Sequence, residues 1–304
     1  MSKIADVWIC AESLDALKEL YTGASQLGES ISVLFAGDKS QALGDHVYYL
    51  GELSSEKMLE NYFPTIIKLA QEKKPGLIML SSTKKGRLLA GVLSAALGTS
   101  TLVDVSEIFV KDGFVESVRM VYGGAAFRTE KASGTVVALV STNVFAASEL
   151  QASKKIEDVD FISQATGLKC VNRQKRIGET SNLGSAKVVI GVGRGFAAQE
   201  DLKMAEELAN SLNGDIGCSR PISEGVGWLP RERYIGVSGQ MLKPEVYIGV
   251  GISGQIQHMV GVNQSRVLVA INKDKNAPIF KEADYGLVGD LYQVLPQLIK
   301  KFNK

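Results

Sequence analysis

Cysteine and histidine are scarce in this chain, three and two among 304 residues. Cys10, Cys170 and Cys218 are scattered, and an odd, sparse count excludes a disulfide framework and a cysteine-spaced zinc site. It points to a reducing compartment, with the cysteines expected as small core hydrophobes. Charge of one sign is missing as well. Lysine and arginine number 34 against 33 acidic residues, a net +1, so there is no basic footprint for nucleic acid. No apolar run approaches the ~18 residues of a membrane span. The N-terminus, MSKIADVWICAESLD, reads as a strand and an acidic cap, without the basic n-region and cleavage site of a signal peptide. A cytoplasmic protein with no membrane span is expected. No segment is of low complexity.

What the chain has is apolar periodicity. At 45% hydrophobic composition it can support two α/β domains with proper cores. DVWICA (6–11), ISVLFAG (31–37), VYYLG (47–51) and GLIMLSS (76–82) read as buried strands, with helix-like segments such as Glu56–Gln71 and Lys84–Leu97 between them. That rhythm implies a parallel sheet. From Thr101 to Phe145 glycine turns join strand-like stretches, and hairpins are expected to extend the sheet. Residues 150–184 are polar and read as a linker, with a hinge at 172–184. The rhythm restarts with KVVIGVGRG (187–195). Its helix puts Leu202, Ala205, Leu208, Ala209 and Leu212 on one face, and Gly214 suits its end. RVLVAIN (266–272) is a further strand. A last helix carries Leu291, Val294, Leu295, Leu298 and Phe302 in a stripe. The expected domains are residues 1–180 and 181–304.

Several stretches carry chemistry. Gly249, Gly251 and Gly254 follow a strand, precede a helix and form a G-x-G-x-x-G, with Asp274 twenty residues beyond. That is the dinucleotide fingerprint in its proper context, although a tight strand–helix turn would also need glycine. Gln255, Gln257 and His258 cluster beside it, where the helix dipole opposes protonation of the histidine. His46 has no such company and reads as a surface residue. Gly191-Val192-Gly193-Arg194-Gly195 displays an arginine on bare backbone, an arrangement suited to phosphate. Cys218-Ser219-Arg220-Pro221 is a second strand end with an arginine. Asp284 and Asp290 could hold a ribose or cap a helix. An NAD-dependent dehydrogenase using the 249–254 loop and Asp274 fits these motifs, as does a nucleotide-binding regulatory module without redox chemistry. The dehydrogenase would also need an acid–base constellation, and none stands out.

Taken in order, GVGRG, GCSRP, GVSGQMLKPEVYIGVGISGQIQHMVG and VLVAINKDKNAPIFKEADYGLVGDL resemble the α subunit of electron transfer flavoproteins. The likeness is densest over residues 185–295 and is nearest the FixB-type branch, linked to acyl-CoA or carnitine metabolism. The resemblance implies an N-terminal α/β domain, without a cofactor of its own, and a C-terminal doubly wound domain holding FAD. It implies a β-subunit partner that binds AMP or a second FAD. It also implies an acyl-CoA-dehydrogenase-type donor, or a quinone-oxidoreductase- or ferredoxin-type acceptor, and an electron carrier rather than an enzyme with its own substrate. By the same motifs Arg194 matches the glycine-loop arginine, and Ser219 and Arg220 match a pair near the flavin ring. Gly236, Val237 and Ser238 match the turn that reaches flavin N5. Ser253, Gly254, Gln255, Ile256, Gln257 and His258 match a segment whose histidine faces the flavin C2 carbonyl. Asn272 and Asp290, with Leu291 beside it, match the adenosine side. Two stretches depart from the pattern. Val237 stands where a side-chain donor is common, so one flavin contact is lost or passes to backbone. Pro221-Ile222-Ser223-Glu224 replaces a commoner Ala-Ala-Val-Asp beside Arg220.

Overall fold

A computed structural model describes residues 3–53, 57–153, 155–163, 170–172 and 183–303. The chain divides into two compact units, Met1–Met120 with Phe127–Arg176, and Val121–Ala126 with Ile177–Lys304. The hinge expected at 172–184 and the boundary at 180 fall largely on residues 173–182, outside the described residues.

In the first unit the order is β1 (Ile4–Cys10), α1 (Leu14–Leu27), β2 (Gly28–Ala36), β3 (His46–Gly51), α2 (Phe63–Lys73), β4 (Leu77–Ser81), α3 (Lys84–Leu97), β5 (Thr101–Val105), β6 (Glu107–Lys111), β7 (Phe114–Val121), β8 (Ala126–Ala132), β9 (Val136–Val140) and β10 (Lys155–Asp158). Seven strands form a parallel sheet in the order β10-β3-β2-β1-β4-β9-β5. Alternate residues of β1 serve opposite faces. Val7 and Ile9 pack with α1, while Trp8 and Cys10 pack with α2 and α3. A strand covered on both sides has no polar face, which is why these strands read as continuous apolar runs. The expected extension of the sheet comes from β5 and β9. The hairpin strands β6, β7 and β8 between them form a separate three-stranded sheet. Within the presumed linker, 155–158 is an edge strand pairing with β3. His46, read as a surface residue, is instead half-buried at the start of β3, with Nδ1 3.0 Å from Ser32 Oγ.

The second unit continues with β11 (Val188–Val192), α4 (Leu202–Ser211), β12 (Asp215–Cys218), β13 (Val246–Val250), α5 (Ile256–Met259), β14 (Val267–Asn272), β15 (Tyr285–Val288) and α6 (Leu291–Phe302). Five parallel strands stand in the order β12-β11-β13-β14-β15. Helices α4 and α6 cover one face through Leu202, Ala205, Leu208, Leu291 and Leu295. Tyr247, Met259, Val262 and Ile279 fill the other. The end of α4 differs from the glycine stop expected. Asn213 takes the left-handed residue, at φ 50°, and Gly214 donates to Ala209 O at 2.8 Å. The N–H of Asn213 bonds Asn210 O, which completes a Schellman motif with asparagine where glycine usually sits. Cys10 and Cys218 are buried, and burial pushes both thiols up to about 12, so they behave as core atoms rather than nucleophiles.

The loops after β11 and β13 touch backbone to backbone. Gly193 N–H donates to Val250 O and Gly195 N–H to Gly251 O, each at 3.0 Å. A methyl group on Gly195 would lie 2.5 Å from Gly251 Cα. Gly195→Ala should therefore lower stability by about 2–3 kcal/mol, because the obstructing atoms are backbone and cannot turn aside. Gly91→Ala, on the open face of α3 with nothing within 4 Å, should be neutral or stabilise by up to about 1 kcal/mol. Thermal unfolding of the two variants checks the contrast, and equal melting points would contradict it.

Candidate functional site

The strand order of the second unit reverses between β11 and β13. From β11 the chain passes to β12 on one side, and from β13 it passes to β14 on the other. The loops leaving the carboxyl ends of these two strands diverge, and a crevice opens between them. The structure has a cavity of about 620 Å³ at this place, walled by the loops after β11, β12, β13 and β14 and by the segment around Tyr234–Ser238. That volume lies within the range of cofactor pockets.

The glycine fingerprint meets the fold's own packing before it meets any ligand. Gly191 and Gly249 are partners across β11 and β13, and the Tyr247 ring lies over this bare pair. Side chains there would strike Tyr247 and Ile279. Gly251, at φ +63°, presses on Gly195, and Gly254, at φ +83°, presses on the backbone of Ile279. Beyond Gly251 the chain is open. The backbone N–H groups of Ile252, Ser253, Gly254 and Gln255 have no partner among the described residues. The helix expected after the glycine loop is a single turn, Ile256–Met259, too short to carry a macrodipole. The anion-attracting feature is thus a run of unpaired amides rather than a helix end.

Two arginines and one aspartate supply the wall's charges. Arg194 is exposed and has no ion pair among the described residues. Arg220 donates through Nε to Glu224 Oε2 at 2.6 Å, and Glu224 also lies 3.3 Å from Arg231. Asp274 Oδ1 accepts from Asn276 N–H, which closes a turn. The wall is positive on balance and suits an anionic ligand.

His258 is 7% exposed. Its Nε2 lies 2.8 Å from Tyr247 Oη, and Nδ1 is buried without a hydrogen-bond partner. Burial pushes its pKa down to about 4, with the Ile235 backbone opposing part of the shift. The low value comes from desolvation, not from the helix dipole expected. Tyr247 is fully buried, and its phenol is pushed up by that burial and by nearby Cys218.

Of the residues named from sequence, Arg194, Ser219, Arg220, Val237, Ser238, Ser253, Gln255, Gln257, His258 and Asn272 line the cavity. Gly236, Gly254, Ile256, Asp290 and Leu291 do not. Gly236, at φ +144°, and Gly254 shape the loops from behind. Ile256 is exposed, Leu291 is buried with α6, and Asp290 caps α6 by accepting from Tyr292 N–H at 3.0 Å. Asn272 spends its amide inside the chain, donating to Ile252 O and accepting from Asp274 N–H. Asp284, the other candidate cap, accepts from Leu268 N–H. The N–H of Val237, to which a lost side-chain contact could pass, already donates to Gln257 O at 2.8 Å. Tyr234, Ala277 and Pro278 join the wall without a signal in the sequence. Tyr247 had one, in that a tyrosine two residues before a glycine in a buried strand lays its ring over bare backbone.

A doubly wound parallel sheet with a positive crevice at its switch point defines a nucleotide-cofactor-binding domain. Comparison with known proteins carries this further. Residues 9–163 match the electron transfer flavoprotein domain, and residues 182–263 match the electron transfer flavoprotein FAD-binding domain. YdiR of Escherichia coli K12, named for an electron transfer flavoprotein subunit, is 40% identical over 312 residues covering all of both chains. FixB of Salmonella typhimurium LT2 and FixB of Escherichia coli O7:K1 are each 39% identical over 307 residues, 98% of either chain. The chain belongs to the electron transfer flavoprotein family, as an α-type subunit, and the cofactor of its second domain is FAD. The dehydrogenase alternative draws no support, since its glycines answer to internal packing.

Above pH ~6.5 His258 is neutral in both folded and unfolded chains. As pH falls through that value the unfolded chain takes up a proton that the folded chain refuses until about 4. Stability should therefore drop by about 3 kcal/mol across this window. Urea unfolding at stepped pH should show a flatter acid limb for His258→Gln, and parallel limbs would contradict the assignment.

Proposed function

We propose that this chain is the flavin-carrying half of a two-subunit electron carrier, working beside a β subunit in the cytoplasm and turning over no metabolite of its own. Acyl-CoA-dehydrogenase-type donors, and quinone-oxidoreductase- or ferredoxin-type acceptors, are its proposed redox partners. The observation that carries the reading is the switch-point cavity. It lies in the FAD-binding domain, and its polar inventory fits an anionic dinucleotide with an acceptor-rich ring. An exposed cation without an ion pair and a run of free amides are open to such a ligand, and the buried Nδ1 of His258 has no partner among the described residues.

Bound FAD supplies the electron uptake and release. The chain's residues hold and shield it. Arg194 and the Ile252–Gln255 amides are proposed for the pyrophosphate, where planar guanidinium and backbone N–H both suit phosphate oxygens. Ser219, Arg220, Ser238 and His258 are proposed for the ring side, with Arg220 favouring its more negative state. Gln255 and Gln257 would order the intervening chain of the cofactor. Val237 and Asn272 are proposed as wall residues beside the cofactor, and Gly236, Gly254, Ile256, Asp290 and Leu291 to support the site from outside the cavity. The first domain, residues 1–180, is proposed to bind the partner subunit, leaving residues 181–304 to carry the cofactor. Among the described residues no helix is long and apolar enough to cross a membrane.

The test is to purify the chain with a co-expressed β-type subunit and count nucleotides. The complex should be yellow and hold FAD, and Arg194→Ala should weaken FAD binding about tenfold. Arg220→Ala should lower the flavin midpoint potential, with Arg220→Lys intermediate. A colourless protein that binds NAD(H) would overturn the reading.

A further inference from the structure

His258 lines the cavity, and its two nitrogens are not equivalent. A neutral imidazole carries one N–H, so the direction of the bond between Tyr247 and Nε2 decides what Nδ1 can offer. Suppose Nε2–H donates to Tyr247. The phenol hydrogen must then find another acceptor inside the core. Tyr247 is fully buried, and its hydroxyl makes no second hydrogen bond among the described residues. Cys218 is near it but forms no bond with it. This arrangement strands a buried donor, and Nδ1 becomes a bare acceptor in a wall of positive charge.

Suppose instead that Tyr247 donates to Nε2. The phenol is satisfied by the single contact at 2.8 Å. The imidazole proton is then on Nδ1, which has no hydrogen-bond partner of its own among the described residues. The first arrangement leaves two buried groups unmade, the phenol hydrogen and the Nδ1 lone pair, and the second leaves only Nδ1–H, so the second arrangement wins. The tyrosine is also rigid. Its ring lies on the Gly191–Gly249 pair of β11 and β13, fully buried among the side chains of that face.

We infer that Tyr247 is a positioning residue, which donates to Nε2 of His258, fixes the ring as its Nδ1–H tautomer, and so makes His258 a neutral hydrogen-bond donor to the acceptor edge of the cofactor ring. The last clause rests on the proposed FAD reading, and the tautomer does not. A neutral donor at this place steadies an electron-rich oxygen or nitrogen without bringing in a full positive charge. The full charge is left to Arg220.

The test uses the full, FAD-bound chain labelled with nitrogen-15 at histidine, where the two histidines make the spectrum short. His46→Gln assigns the signals. Long-range proton–nitrogen correlation should show His258 with a protonated Nδ1 and an unprotonated Nε2, and a protonated Nε2 would overturn the inference. Tyr247→Phe keeps the ring that fills the core and removes only the donor. Both His258 nitrogen shifts should then move toward a mixture of tautomers, FAD binding should weaken about fivefold, and the midpoint potential should fall. An unmoved nitrogen spectrum would refute the positioning role. A changed spectrum with unchanged FAD affinity and potential would uphold the tautomer and reject His258 as a flavin contact. The wild-type tautomer is read without any variant, so a poorly folding Tyr247→Phe does not decide the matter.

Discussion

The second domain depends on one steric constraint, the contact of two loops through bare backbone. Where Gly195 meets Gly251 there is no room for a side chain from either strand. Two consequences follow from that closeness. The loops cannot slide, since Gly193 and Gly195 are both hydrogen-bonded across the gap. And the crevice begins where the contact ends, so its floor is fixed by main-chain atoms rather than by rotamers. A site whose floor is backbone needs no ordering when a ligand enters, which reduces the entropic cost of binding.

Tyr247 extends the same constraint downward into the sheet. Its ring occupies the space that Gly191 and Gly249 leave, on the face away from α4 and α6. From there its hydroxyl meets His258. The glycines thus act twice, once by allowing two loops to touch and once by seating an aromatic ring that governs a cavity residue. The positive rim is set differently. Arg194 stands free, whereas Arg220 shares Glu224 with Arg231. An entering anion trades one ionic contact for another at Arg220, and gains a new one at Arg194.

The sequence made the buried elements legible and the exposed ones obscure. Strands β1, β4, β11 and β13 are covered on both faces, so their buried runs are almost wholly apolar and they announce themselves. Helix α3 was readable as Lys84–Leu97, and the structure closes it with Thr83 as its cap and Gly98 as its left-handed stop. Edge strands escape such reading. β10 is KIED and half-exposed, and β15, Tyr285–Val288, buries none of its residues, so neither needs a pattern. Site residues within glycine loops could be found because a bare loop that displays an arginine or leads to a histidine is unusual. Tyr234 and Pro278 could not, because the wall is assembled from segments far apart in the chain, and ordinary residues acquire a role only through that assembly. The glycines themselves were legible as turns, but their reason was not. The sequence pattern of a phosphate loop and that of two loops packed against each other are the same.

The backbone floor also divides the site by how freely it can change over time. Gly191, Gly195, Gly249, Gly251 and Gly254 are held by atoms of the domain itself, so no ligand preference can be acquired by altering them. Ser253, Gln255, Gln257 and Val237 are exposed on the rim and anchor little of the fold with their side chains. A substitution at the rim can therefore retune the bound group while the backbone frame beneath it stays as it is.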